Sequence, residues 1–314
     1  MIRSMARIAA PVKISKFPEP RLRIAFLACP ATLPHSPTRR ADAFEHDLQF
    51  AALHIGLAGR AALEAIDWRA PLAELLTYDV ALLGTPWDYT EAKEEFLTRL
   101  RELEAAGVAV ANPQAVVRWN ADKLYLHELA ESGAATIPTL WPEAPDAAEV
   151  ESAFARFGCD KVVVKRRIGA GGIGQKCFVR GEVPTDWTMG QSAMIQPFLP
   201  SIQTEGELSF IFIAGALSHA LIKRAAPGEY RIQSLYGGRE TALVPAPSDR
   251  EAAEAVMAML PFEQAPLYAR IDMVRLPGGD LAVIEAELIE PYLYPEQGPH
   301  LGAMLAEAVL GLER

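Results

Sequence analysis

The stretch 162–178, VVVKRRIGAGGIGQKCF, runs from an apolar β-branched segment through Lys165, Arg166 and Arg167 and past Gly169, Gly171, Gly172 and Gly174, then resumes as Cys177-Phe178. A cationic, glycine-rich loop between two strands is a phosphate cradle: without Cβ atoms the backbone N–H groups can approach an anion, and the basic side chains neutralise it. Between residues 160 and 176, five Lys and Arg side chains face a single acid, Asp160, in a chain of net charge −10. A second chemical signal comes late. Asp272 stands inside the apolar run Tyr268–Val274, and Glu285 and Glu287 stand two apart in Leu281–Glu287, so strand alternation lets them share a face. Carboxylates in apolar strands are costly unless paired or metal-bound. Oxygen-only ligands suit Mg²⁺ held together with substrate phosphates; a salt-bridge ladder with Arg270 is the purely structural reading of the same residues.

Three other features stay open at this level. Gly169 to Gly174 spells G-x-G-x-x-G, but a dinucleotide turn must open a helix and be followed about 20 residues later by an acid. Here Gln175 to Arg180 reads as a strand and the region near Met194 has no carboxylate, which leaves the phosphate loop or a plain hairpin tip. Lys123 lies at the start of a helical segment, where a cation is misplaced unless an anion is near; a solvated lysine is the alternative. Trp87-Asp88-Tyr89 follows a strand end, and reads equally as substrate contact or as an aromatic plug and helix cap.

The chain has 314 residues, half of them hydrophobic and 22% charged, enough for two or three packed units and for a sizeable core. The acidic balance argues against a nucleic-acid surface, because the basic residues are local. The three cysteines, Cys29, Cys159 and Cys177, form no C-x-x-C pair and suit a reducing cytoplasm. Histidines lack zinc spacing, and no run of 18 apolar residues predicts a membrane span. Residues 1–20 read as a mobile extension without a signal-peptide apolar block.

The elements that must position these residues begin with Leu22–Cys29, a buried strand. A helix over 41–57 follows, then a strand or short helix over 60–67, a strand over 78–84, a helix over 91–106 and a strand over 108–111. Alternating strands and helices imply an open parallel sheet whose ligand edge is the carboxyl ends of its strands. Then come a helix through Ser132, an extended segment 136–141, a helix over 146–157, the glycine loop and a strand at 194–199. A hairpin over 205–224 turns at Ala214-Gly215. A helix over 249–260, the two acid-bearing strands and a closing helix over 302–312 complete the chain.

This order of parts, a phosphate loop with Lys165, a linker strand, then D…E-x-E on late strands, resembles the ATP-grasp superfamily over about residues 87–294. The resemblance implies an ATP-grasp fold, α/β with an α+β lid and an N-terminal open parallel α/β domain. It divides the chain into the extension 1–20, an N-terminal α/β domain 21–111, the start of the central domain 112–136, a lid 137–199 with the glycine loop, and a C-terminal subdomain 200–314 with the metal site. It implies that Lys123 and Lys165 bind ATP, with Gly169, Gly171, Gly172 and Gly174 at the phosphates. Gln196, Pro197, Phe198 and Leu199 would form the hinge that reads adenine, and Glu207 would hold the ribose. Asp272, Glu285 and Glu287 would hold two Mg²⁺ ions, and Arg270 would face the transferred phosphoryl group. Arg231, in Gly-Glu-Tyr-Arg231, would face a small amino-acid-like substrate together with Trp87, Asp88 and Tyr89.

Two departures stand out: the usual E-x-N is Glu285-Ala-Glu287, and Arg166-Arg167 replace a common proline. Within the superfamily, Trp87-Asp88-Tyr89, the Trp119–Lys123 segment and Glu287-Leu-Ile-Glu-Pro-Tyr-Leu293 are most similar to the branch containing the O-ureido-serine cyclo-ligase of cycloserine biosynthesis. The implied chemistry is a carboxylate activated by ATP as an acyl phosphate and attacked by nitrogen, within one molecule as in ring closure, or between two amino acids as in a glutathione-synthetase-like ligase. A non-catalytic ATP-binding regulator is the rival from another class; the retained Arg270, Asp272, Glu285 and Glu287 disfavour it. The sequence leaves a homo-oligomer open.

Overall fold

The computed structural model describes residues 22–169, 174–226 and 237–312. The expected extension 1–20, the loop glycines Gly171 and Gly172, and Arg231 lie outside the described residues.

The first sheet contains β1 (Leu22–Ala28), β2 (Ala61–Asp67), β3 (Val80–Thr85) and β4 (Ala109–Ala111), all parallel in the order β2-β1-β3-β4. β3 is buried along its whole length and β1 at every residue but Arg23, as expected of parallel strands covered on both faces. The segment left open between strand and helix is β2. Helices α1 (Phe44–Leu57), α2 (Leu72–Leu75) and α3 (Lys93–Ala105) connect the strands, with a 3₁₀ turn over Trp87–Glu91. The last helix, α9 (Leu301–Leu310), returns from the far end of the chain to pack on α1. Its Gly302 approaches α1 so closely that a Cβ would lie 2.2 Å from the Ala52 carbonyl oxygen. Leu301, Leu305 and Val309 therefore share the first sheet's core with Leu53 and Leu57, although they lie in the segment assigned to the C-terminal subdomain.

Beyond β4, the single helix expected up to Ser132 is two short ones, α4 (Gln114–Asn120) and α5 (Tyr125–Glu131), with Asp122 and Lys123 in the turn between them. Helix α6 (Ala147–Phe157) starts on a capping box, Asp146 with Glu149, and stops at Gly158 in a left-handed conformation. It covers a small antiparallel sheet, β6-β5-β7, made of β5 (Lys161–Arg166), β6 (Lys176–Val179) and β7 (Ala193–Pro197). Val162 and Val164 point into the core beneath α6, so alternation turns Val163 and Lys165 to the opposite face.

After the short α7 (Ser201–Thr204), five strands build the largest sheet: β8 (Glu207–Ile213), β9 (Ala216–Arg224), β10 (Arg239–Leu243), β11 (Tyr268–Arg275) and β12 (Leu281–Glu287), in the order β10-β9-β8-β11-β12. Helix α8 (Pro247–Ala258) packs on β11 and β12. β10, which the sequence reading lacked, is an edge strand with no buried residue and hence no apolar pattern. All the neighbours in this sheet are antiparallel, and the register decides the site: Arg270 stands opposite Glu287, Asp272 opposite Glu285 and Ser209, and Glu207 opposite Lys223. Gly206, at φ 114°, immediately precedes β8, where a Cβ would meet the Lys223 carbonyl oxygen at 2.5 Å.

Candidate active site

A cleft opens between the small sheet and the large one. Val163 and Leu199 line one wall, Val274 and Ile284 the other, with Lys165 and Gln196 among the lining residues. An apolar slot with a lysine among its lining residues has the chemistry that suits a nucleobase followed by phosphates. Gln196 is buried and donates to the Thr139 hydroxyl at 3.0 Å. At the hinge, Pro197 has no N–H and the Phe198 amide donates to the Lys161 carbonyl at 2.9 Å. A backbone donor for adenine would therefore come from Leu199.

Lys165 is half-buried and has no ion-pair partner among the described residues. Burial lowers its pKa, against the pull of Glu285 and Glu207. Lys123 donates to the Gly169 carbonyl at 2.7 Å and pairs with Glu285 at 2.8 Å. That is the anion the sequence reading required for a lysine at this position. Arg167 does not join the phosphate-facing cations. It grips Asp122 with two N–H groups, at 3.0 and 2.6 Å, and reaches Glu143 at 3.0 Å, tying the end of β5 to the turn that carries Lys123. The Arg166 side chain lies against both ends of the loop, 3.2 Å from where a Cβ on Gly169 would be and 3.1 Å from one on Gly174.

The acids of β11 and β12 are each held by a cation. Asp272, 2% exposed, accepts from Ser209 at 2.5 Å and from Arg270, and pairs with Lys223 at 3.1 Å. Burial raises its pKa, but Arg270 and Lys223 outweigh that and hold it below the usual carboxylate range. Glu287 pairs with Arg270, whose remaining N–H donates to the Tyr292 carbonyl at 3.1 Å. Burial nonetheless pushes Glu287 up to about 7. Glu207, the expected ribose ligand, is bonded to Lys223 at 2.5 Å and burial pushes it up to about 7 as well. Among the described residues no three His, Cys, Asp or Glu side chains are gathered in metal-binding geometry. Glu285 and Glu287, half-buried and facing cations, have the oxygen chemistry that Mg²⁺ takes.

Buried polar side chains pin the segment carrying these acids. Asn120 donates to the Ala286 carbonyl at 2.7 Å and accepts from the Leu288 amide at 2.8 Å, and the Tyr125 hydroxyl accepts from the Ala286 amide. Asn112, just past β4, donates to the carbonyls of Leu288 and Tyr268 and accepts from the Leu267 amide at 2.6 Å. The Tyr268 hydroxyl bonds the Ile289 carbonyl at 2.8 Å. These contacts fasten the carboxyl edge of the first sheet to the end of β12. They and Lys223 escaped the sequence reading; the signal for Lys223 was a lone lysine inside the apolar run of β9.

Trp87, Asp88 and Tyr89 divide. Asp88 accepts from the Trp68 indole at 2.7 Å and pairs with Arg69, so its carboxylate is already engaged by protein. Trp87 lies beneath the Arg40 guanidinium at 4.9 Å. Tyr89 is buried, and its pKa is raised first by burial and then by the charges of Glu290, Glu287 and Glu285. Of the three, Tyr89 is the one near the acid cluster. No described helix is long and apolar enough to cross a membrane.

Residues 24–112 match the family model for the N-terminal domain of the D-cycloserine synthetase DcsG. The chain is 27% identical over 248 residues to the cycloserine biosynthesis protein DcsG of Streptomyces lavendulae, covering 73% of this chain and 82% of that protein. The crystal structure of D-cycloserine synthetase DcsG superposes with a TM-score of 0.77 at 23% identity, covering 93% of this chain and all of that one. A D-alanine–D-alanine ligase from Bacillus anthracis gives 0.63 at 15% identity over 93% of this chain and 96% of its own. A RimK-domain ATP-grasp protein from Sphaerobacter thermophilus gives 0.61 at 17% over 92% of this chain and all of its own. The match runs over more than nine-tenths of the chain, through the first sheet and both antiparallel sheets, and the chain has the ATP-grasp fold.

Proposed function

We propose that the protein is an ATP-dependent ligase that phosphorylates the carboxylate of a small amino acid or amino-acid derivative and joins it to nitrogen, within one molecule as in cycloserine ring closure. One observation carries this reading: Lys165, without an ion-pair partner among the described residues, stands at an apolar cleft, beside Lys123 and the cross-strand pairs Arg270–Glu287 and Asp272–Glu285. A nucleobase fits the slot, and the lysines face the phosphates. The similarity to cycloserine synthetase over most of the chain supports the cyclising version.

Glu285 and Glu287 would hold Mg²⁺, with Asp272 behind them, and two ions fit the count of carboxylates; the metal would neutralise phosphate charge. Lys123 and Arg270, now paired with Glu285 and Glu287, are the cations placed to face the phosphoryl group, and would do so where those two carboxylates turned to a metal. The carboxylate oxygen of the substrate attacks the γ-phosphorus and ADP leaves. Nitrogen then attacks the acyl carbon, a C–N bond forms, the C–O bond to phosphate breaks, and inorganic phosphate departs. The protein's share is positioning and charge neutralisation.

Hydroxylamine tests this directly, because it converts an acyl phosphate into a hydroxamate with a distinct mass. ADP release that depends on D-alanine or O-ureido-serine, together with the matching hydroxamate, is the expected result. ADP release with the phosphate found on a hydroxyl and no hydroxamate refutes it. Product mass then separates ring closure from ligation of two amino acids.

A further inference from the structure

Glu290, beside the acid cluster, is a carboxylate that the preceding reading leaves without a task. Glu290 follows β12 by three residues, is half-buried, and has no hydrogen bond or ion pair among the described residues. Its neighbours Leu288 and Ile289 are buried. Their backbone is clamped on three sides: the Leu288 amide by Asn120, the Leu288 carbonyl by Asn112 and the Ile289 carbonyl by Tyr268. Two residues on, the Tyr292 carbonyl is held by Arg270, and the Leu293 amide by Gln49 at 2.7 Å. A segment fixed this firmly gives the Glu290 side chain a defined place. The charges that act on Glu290 are Glu287 and Glu285 of β12, Lys123 from the turn between α4 and α5, and Arg270 of β11. From the first sheet comes Tyr89, whose strongest electrostatic neighbour is Glu290, and Tyr268 also feels its charge.

Glu285 faces Lys123, and Glu287 and Asp272 face Arg270, so these acids and cations sit on the phosphate side of the cluster. Glu290 has no such cation of its own, and its segment is the one tied to the first sheet, through Asn112 and the Tyr268 hydroxyl. An N–H nucleophile attacking an acyl phosphate must lose a proton as the C–N bond forms, and a carboxylate without a cation of its own is the group suited to take it. We propose that Glu290 binds the attacking nitrogen and accepts its proton, so that the C–N bond forms, the C–O bond to phosphate breaks, and the proton ends on the Glu290 carboxylate. This rests on the ligase reading.

The test is Glu290→Gln, a near-isosteric change, assayed with ATP, Mg²⁺ and O-ureido-serine or D-alanine, with and without hydroxylamine. Hydroxylamine is neutral at pH 7.5 and supplies its own strong nucleophile. The variant should lose about 100-fold or more in amide product, the scale of a general base, while hydroxamate formation stays within about threefold of wild type. Hydroxamate and product falling together would overturn the proposal, because Glu290 would then serve phosphorylation or the fold. Undiminished product would overturn it as well. If the wild-type protein gives no hydroxamate with either probe, the ligase reading fails and this role falls with it.

Discussion

Lys223 carries the sharpest stability prediction. Its ammonium, 4% exposed, lies 2.5 Å from Glu207 and 3.1 Å from Asp272, both nearly as buried. Lys223→Met keeps most of the aliphatic stem and removes the charge. Asp272 retains Arg270 and Ser209 and stays ionised; Glu207 is left with no partner of its own. Breaking a buried ion pair from one side costs about 3–5 kcal/mol, and since Glu207 can protonate, the lower end, about 3 kcal/mol at pH 7, is expected. The pH dependence follows from the directions of the shifts. Lys223 is raised by Asp272 and Glu207 against burial, so its contribution is complete below the unfolded lysine pKa of about 10.4 and does not vary between pH 6 and 8. Glu207 is already raised to about 7 in the folded protein, so folding binds a proton there and stability falls as pH rises from the unfolded carboxylate value to 7. Without Lys223 that pKa climbs further. The variant should keep losing about 1.4 kcal/mol per pH unit above pH 7, where the wild type levels off. Urea unfolding at pH 6, 7 and 8 measures this. Adding Glu207→Gln removes the group that titrates and should restore at least half of the loss. A single variant within about 1 kcal/mol of wild type with the same pH profile, or a double variant no more stable than the single, would refute the reasoning.

Lys165→Met should weaken ATP binding by about 1.5–3 kcal/mol, the worth of a hydrogen bond to a charged group, in titration calorimetry; unchanged affinity removes Lys165 from the site. Asn112→Ala leaves the Leu288 and Tyr268 carbonyls and the Leu267 amide without their partner, and should lower unfolding free energy by about 3 kcal/mol, near 1 kcal/mol per buried hydrogen bond. A loss below about 1 kcal/mol would show that Asn112 does not fasten the first sheet to β12.

What the sequence made legible is what local pattern encodes. Strand alternation put Asp272, Glu285 and Glu287 on one face, and the glycine loop with Lys165 announced itself by composition. Pattern does not encode pairing across sheets. Arg167 looked like a phosphate-facing cation because its partners, Asp122 and Glu143, stand 45 and 24 residues away. Asp88 looked available because Trp68 and Arg69 belong to another loop. Asn112 and Asn120 carry no signal in local pattern, yet their amides fasten the end of β12 across 176 and 166 residues of chain. A polar side chain signals its type in the sequence, while its partner depends on sheet order, and here the order β10-β9-β8-β11-β12 decides it. That order places Lys223 of β9 next to β8, within reach of both Glu207 and, one strand further, Asp272. The site is therefore a cross-section through four adjacent strands: each contributes one or two charged residues at matched register, and the two cations, Lys223 and Arg270, reach their acids only when all four are paired.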